Sequence, residues 1–319
     1  MIDNARPNGS VIDTPVSKDE YTQLVERFLQ GASFQIFPAK DTTALEEYLF
    51  NQMLGGEIDA KKASKLSKQG ASIAHQFYPL QSSSPELHRL TGLYGAYFVA
   101  LDDICAAEAD MRGFRRSFIR NLPQAKLFEG CANMLRELDD HYLEFCSDKA
   151  ITGLISHMSS AVLESETEGK FSQLRLSPGF PQYFRYLTGN AEAFVWLMVP
   201  RDVCPGYGET FKLFIQAVPE LIDFTNKVND ILSFYKESIV SSESDGYVYH
   251  RAEVNQVTPL QCLNEMVDEV HDNIDRIEAM VVGDADLFEV AKAYIRGYIG
   301  YHIIEPRYKI GELGVPCLK

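Results

Sequence analysis

The sequence predicts an all-α protein in which a single bundle of helices forms one domain. Apolar residues recur every three or four positions from residue 19 almost to the C-terminus, the period of a helix with one buried face. Alternating strand patterns closed by hairpin turns are missing, and the one Asp-Gly pair, Asp245-Gly246, sits in a polar stretch. Pro and Gly clusters punctuate the periodic segments without forming a linker long or biased enough to divide the chain.

Residues 1–18 are polar, carry Pro7 and Pro15, and read as a flexible arm ahead of a domain spanning 19–319. Helical periodicity then covers roughly 19–32, 43–55, 57–77, 86–107, 123–147, 148–169, 180–199, 208–238, 258–281 and 284–304. Pro79 and Pro85 bracket a Ser-rich connection, Pro178 and Pro181 bracket a second, and Pro205 with Gly206 and Gly208 marks a third. Ser241 to Gln256 reads as a loop. Several helices are apolar on more than one face, so they must be surrounded by others or line an apolar pocket.

Composition narrows the function classes. A formal net charge of −15 argues against a general nucleic-acid surface, because phosphate binding draws on clustered Lys and Arg. Any anionic ligand must therefore meet a few placed cations. The N-terminal residues lack the basic and apolar regions of a signal peptide, no apolar run approaches 18 residues, and Cys317-Leu318-Lys319 is not a prenylation box. A cytoplasmic protein without stable membrane insertion is expected. Cys105, Cys131, Cys146, Cys204, Cys262 and Cys317 form no CxxC pair and read as reduced structural thiols. The seven histidines, His302 among them, show no ligand spacing.

The segment with the clearest chemistry is Asn229-Asp230-Ile231-Leu232-Ser233-Phe234-Tyr235-Lys236-Glu237. On an α-helix Asn229, Ser233 and Glu237 drift only about 40° per step, so an amide oxygen, a hydroxyl and a carboxylate share one face. Such an oxygen-only set suits Mg²⁺, which keeps waters and takes substrate phosphates for its remaining positions.

That run resembles the second metal-binding motif of class I terpene cyclases, and the trichodiene synthase family in particular. Three further marks of the family stand in order. An aspartate pair, Asp102-Asp103, closes the nearly uncharged helix that contains Tyr94, Tyr97 and Phe98, and lies 127 residues before Asn229. Arg185, followed by Thr188-Gly189, occupies the place of a diphosphate-sensing Arg at a helix break, 44 residues before Asn229. Arg307-Tyr308 matches a C-terminal Arg-Tyr pair. The four features span residues 94 to 308. Where the family usually carries a third acid after the pair, this chain has Ala106 and Ala107, with Glu108 and Asp110 beyond.

The resemblance implies the class I terpenoid synthase fold, a helical bundle around a central apolar active-site cavity. It implies a Mg²⁺-dependent sesquiterpene cyclase that ionises farnesyl diphosphate and quenches the cyclised cation by deprotonation or water. Asp102 on one side and Asn229, Ser233 and Glu237 on the other would hold three Mg²⁺ ions. Arg185, Lys236, Arg307 and Tyr308 would bind the diphosphate, with Gly189 at the break and Asp103 pairing with Arg307 on closure. Arg suits this task because its planar fork meets two oxygens at once. Aromatic faces, each worth about 0.5–2 kcal/mol to a cation, would shield the intermediate; Tyr94, Phe98, Phe194, Trp196, Tyr298 and Tyr301 are the candidates. Relatives are often homodimers, and the sequence leaves this chain's assembly open.

Two other readings stand beside this one. An isoprenyl diphosphate synthase would need a second DDxxD where the chain has Asn229-Asp230-x-x-Ser233, and a non-catalytic binding protein of the same fold would have no use for an intact set of basic partners. Asp139-Asp140 with Glu144 forms a decoy DDxxxE, but its flanks describe a solvated helical face. With farnesyl diphosphate and Mg²⁺, Asp102→Asn is expected to lose most of its turnover while Asp139→Asn keeps it. Steady-state rates of the two variants decide which pair serves the metal.

Overall fold

The computed structural model describes residues 12, 14–35, 41–102, 109–167, 171, 174–315 and 318. The described helices, in chain order, are α1 (Lys18–Gly31), α2 (Thr43–Met53), α3 (Ala60–Phe77), α4 (Pro85–Asp102), α5 (Ala109–Arg120), α6 (Lys126–His141), α7 (Glu144–Thr167), α8 (Phe180–Thr188), α9 (Ala191–Trp196), α10 (Glu209–Phe234), α11 (Tyr247–Asn255), α12 (Pro259–Val281) and α13 (Ala285–Ile304). Among the described residues there is no strand, only an isolated bridge between Gly55 and Ile58. The all-α expectation holds.

Local rules set several helix starts. Ser17 and Glu20 form a capping box at α1, and Thr258 with Gln261 forms another at α12, where Pro259 fills the first turn. Asp59 and Asp284 cap α3 and α13 by accepting from Lys62 and Leu287.

The interior runs the length of the bundle. Helices α4 and α13 are buried on most sides, as their multi-face hydrophobicity requires. Helix α13 packs against α3 at Gly297, where an added Cβ would lie 1.6 Å from the Gln76 carbonyl oxygen. This contact brings Phe77 at the end of α3 into a cluster of rings. Phe77 lies 5.3 Å from Phe194, 4.7 Å from Tyr298 and 5.1 Å from Tyr301, centroid to centroid. Cys131, Cys146, Cys204 and Cys262 are buried free thiols; Cys105 and Cys317 lie outside the described residues.

Four boundaries differ from the periodicity. Residues 109–120 form α5, where a connection was expected. The segment 180–199 is broken into α8 and α9 by Gly189 and by Asn190, whose φ is 51°. The junction of α6 and α7 falls at Tyr142-Leu143, not near 147. Most of the expected loop 241–256 is α11, which buries Val248, His250 and Ala252.

The polarity that made α11 look like a loop comes partly from a half-buried charge network. Arg251 of α11 donates to Glu269 of α12 at 2.6 and 2.8 Å. Lys227 of α10, only 6% exposed, pairs with Glu269 at 2.7 Å and with Asp223. The network ties α11 to α12 and to α10, the helix that carries Asn229. Burial alone would raise the Glu269 carboxyl, but hydrogen bonds from Arg251 and Lys227 win and bring it down to about 2. A carboxyl with a depressed folded pKa contributes stability that is present above its unfolded value, near 4.5, and is lost as pH falls toward 2. Glu269→Gln is therefore expected to lower the urea midpoint at pH 7 and to flatten its dependence on pH between about 4.5 and 2. Denaturation curves over that range test this.

Candidate active site

Helix α10 and the turn after it carry the densest chemistry. The α-helical pattern ends at Phe234, and Tyr235–Val240 forms a π turn. A π turn, closed by i→i+5 bonds, advances each residue by about 80° instead of 100°. An unbroken α-helix would leave Glu237 about 80° round from Asn229; the π turn brings it back to within about 30°. The Ser233 hydroxyl donates to Glu237 Oε2 at 2.9 Å.

The neighbouring helices fix the other groups. Arg185 of α8 donates through Nε to the Asp230 carboxylate at 2.9 Å and through Nη2 to Asn229 Oδ1 at 3.0 Å. The ion pair is nearly enclosed, with side chains 13% and 12% exposed. Burial pushes the Asp230 carboxyl above its ordinary range although Arg185 opposes the shift. Gly189 is required here by space: an added Cβ would lie 2.2 Å from Asn226 Oδ1 and 2.7 Å from Arg185 Nη1. On the far side, Asn229 Nδ2 donates to His302 Nε2 at 3.1 Å, and His302 Nδ1–H donates to the Tyr298 carbonyl at 2.8 Å. Burial, reinforced by Arg307, Lys236 and Arg185, pushes the imidazole down to about 3, so it is neutral and can accept.

These residues surround a cavity of about 150 Å³. Its inner wall is aromatic, with Phe77, Phe98, Phe194, Tyr298 and Tyr301. Its mouth is charged, with Asp102, Arg185, Asn229, Lys236, Glu237, Arg307 and Tyr308. A vestibule of about 560 Å³ shares Asp102, Arg185, Asn229 and Glu237 and adds Asp230, Glu243 and Asp245. Arg307 faces Asp102 at 3.5 Å and lies 5.6 Å from the Tyr308 ring centroid. Lys236 lies 3.2 Å from Glu237 and 5.3 Å from the same ring.

The residues fit a hard cation that brings its own anion. Among the described residues no three His, Cys, Asp or Glu side chains gather as a metal site. The triad offers one carboxylate, one amide oxygen and one hydroxyl, so phosphate oxygens and water must complete the coordination. Polar atoms also wait at the cavity. His157 Nε2 on the cavity wall, and both amide atoms of Asn226 beside Gly189, are buried, and among the described residues they have no hydrogen-bond partner.

The structure brings together Asp102, Arg185, Gly189, Asn229, Lys236, Glu237, Arg307, Tyr308 and the wall residues Phe98, Phe194, Tyr298 and Tyr301 around this cavity, and Ser233 joins them through Glu237. Two expectations need correction. Tyr94 lies one layer behind the wall, fully buried, its hydroxyl within 3.3 Å of the Ala150 carbonyl and of Asn190 Oδ1. Trp196 packs on Phe145 and Phe214 away from the cavity, because the break at Asn190 swings α9 off the line of α8. Asp102, at the end of α4, is 42% exposed and borders the vestibule. Asp103 and Glu108 lie outside the described residues. The decoy stands apart, with Asp139 accepting from Ser147 at 2.6 Å at the end of α6. Four residues of the site carried no readable signal: His157, His302, Asp230 and Phe77. A lone His or Phe at helical spacing looks like core, and Asp230 looks like an ordinary helix-face acid.

The sequence pattern of the trichodiene synthase family matches residues 67–314. Among similar proteins, an (E)-beta farnesene synthase of Metarhizium brunneum is 26% identical over 309 residues, 95% of this chain and 92% of that protein. Terpene synthase BipA of Cochliobolus sativus is 26% identical over 314 residues, 96% and 93% of the two chains. A solved linalool/nerolidol synthase of Streptomyces clavuligerus superposes with a TM-score of 0.60 at 13% identity, covering 93% of this chain and 99% of that one. With the marks from Asp102 to Tyr308 inside the matched span, the chain belongs to the trichodiene synthase family and is a terpene synthase of the all-helical class I fold.

Proposed function

We propose that the chain is a Mg²⁺-dependent sesquiterpene synthase that ionises farnesyl diphosphate and cyclises the cation. The observation that carries this reading is the placing of Asn229, Ser233 and Glu237 beside Arg185, Lys236 and Arg307 over an aromatic-walled cavity. The name of the Metarhizium brunneum relative, a farnesene synthase, favours a C15 substrate.

Bound Mg²⁺ would supply Lewis-acid stabilisation of the charge that develops on the leaving diphosphate. Asn229, Ser233, Glu237 and Asp102 would hold the ions, on the family pattern three of them. His302 holds the Asn229 amide so that its oxygen, not its nitrogen, faces the vestibule. Arg185 and Arg307 present planar forks to phosphate oxygens, and Lys236 a point charge. Each of these cations is now matched by a protein acid: Asp230, Asp102 and Glu237. An incoming diphosphate with its metals would exchange the two outer partners, Asp102 and Glu237, while Arg185 keeps Asp230, so that no buried charge is left uncompensated. Asp103 would then pair with Arg307. The hydrocarbon chain would lie along Phe98, Phe194 and Tyr298, whose faces stabilise a cation and exclude water.

The floor of the cavity is the Phe77 ring, and behind it lies a second, largely apolar cavity of about 200 Å³. Across C10, C15 and C20 diphosphates the wild type is expected to prefer C15 by kcat/KM. Phe77→Ala, by joining the two cavities, is expected to move that preference toward C20. A wild type that favours C20 overturns the C15 assignment, whereas an unmoved Phe77→Ala preference overturns only the role of the floor.

Glu237→Gln keeps an acceptor for Ser233 but removes the charge. It is expected to raise the Mg²⁺ concentration at half-maximal rate by about tenfold or more and to lower kcat, with an unchanged helical circular-dichroism spectrum. Magnesium titrations of the rate provide the check.

A further inference from the structure

Tyr21 of α1 is far from the diphosphate cations in sequence, yet its side chain ends inside α10. The residue is fully buried, and its hydroxyl donates to the Ile231 carbonyl at 2.6 Å. The backbone N–H of Tyr235 faces the same hydroxyl. In an unbroken α-helix that N–H and that carbonyl, four residues apart, would pair with each other. The α-helical pattern stops between them, at Phe234, and the π turn starts at Tyr235. A side chain inserted into the backbone ladder is one of the few physical causes of such a break.

The wedge is held firmly. The Tyr21 ring stacks on Phe234 and on Tyr235, each at 5.9 Å. Lys18, three residues earlier on α1, lies 5.7 Å from the Tyr235 ring centroid and donates to the Glu312 carbonyl at 2.9 Å. Helix α1, the π turn and the segment after Arg307-Tyr308 therefore form one packed unit.

We propose that Tyr21 is a positioning residue for the metal-binding face: its hydroxyl, wedged between the Ile231 carbonyl and the Tyr235 N–H, opens α10 into the π turn that returns Glu237 alongside Asn229 and Ser233. What that face binds is as proposed above, whereas the wedge stands on backbone geometry alone. The consequence is specific. Without the hydroxyl, Ile231 and Tyr235 can pair directly, so the ladder closes as α-helix and no buried backbone group is left unsatisfied. Glu237 then swings away from Asn229 and Lys236 away from Tyr308, while the overall fold is hardly weakened.

Tyr21→Phe, which keeps the stacked ring, tests this, with Leu24→Ala on the same helix as the control for simple loss of packing. The expected crystal structure of Tyr21→Phe shows Tyr235 N–H bonded to the Ile231 carbonyl and Glu237 turned to about 80° round the helix from Asn229. Its thermal midpoint is expected to stay near that of the wild type, while the Mg²⁺ requirement for turnover rises about tenfold, as for loss of a group that orients a metal ligand. Leu24→Ala is expected to do the reverse, with a lower midpoint and an unchanged Mg²⁺ requirement. A π turn that persists in Tyr21→Phe overturns the proposal, as does an unchanged Mg²⁺ requirement beside an active wild type. Should the wild type turn over no isoprenyl diphosphate, the proposed function fails, and the crystal structure of the variant still decides what Tyr21 does.

Discussion

The ion pair between Arg185 and Asp230 is the contact on which the rest of the site depends. A buried charge without a partner is costly, so neither side chain can be removed from the other once α8 has packed beside α10. The pair sets the distance between those helices and leaves the second arm of the guanidinium on Asn229 Oδ1. It also explains Gly189, because the guanidinium occupies the space a Cβ would need. From this point the helix break at Asn190, the turn of α9 and the placing of Phe194 on the cavity wall follow as packing consequences.

The mouth of the cavity is a self-neutralising arrangement in a protein of net charge −15. Lys236 and Glu237, Arg307 and Asp102, and Arg185 and Asp230 each pair a cation with an acid. The three pairs differ in exposure. Arg185 and Asp230 are nearly enclosed, whereas Asp102 and Glu237 are about two-fifths exposed, where pairs are held weakly. The enclosed pair is thus a fixed part of the frame. The outer pairs are the ones that a charged ligand can rearrange, since water already screens them and little is lost on exchange.

Behind the mouth the chemistry changes from charge to aromatic surface within one side-chain length. Tyr298, Tyr301 and His302 sit on one helix, α13, whose close approach to α3 at Gly297 sets the depth of the cavity. His302 joins the two regions. Its neutral ring accepts from the Asn229 amide while its other nitrogen donates to the backbone, so the orientation of a polar group at the mouth is fixed from inside the apolar wall.

The all-helical class and the shared face of Asn229, Ser233 and Glu237 were legible in the sequence, because a helix writes its buried face as a 3.6-residue period and the oxygen donors recur in step with it, whereas Arg185, Arg307 and Tyr308 were singled out only by the resemblance to the trichodiene synthase family. Helix α11 was not legible, since its helicity depends on Arg251 reaching Glu269 on a helix that comes later in the chain. The same holds for the π turn: the sequence gives Tyr235 no local reason to leave the α-helix, and the hydroxyl that faces its N–H comes from Tyr21, more than 200 residues earlier. Tyr94 and Phe98 share one helix face and are both aromatic, yet only Phe98 meets the cavity, because the side on which α7 and α9 pack decides which ring is covered. Periodicity records which residues are buried; what they are buried against is fixed only when distant segments meet.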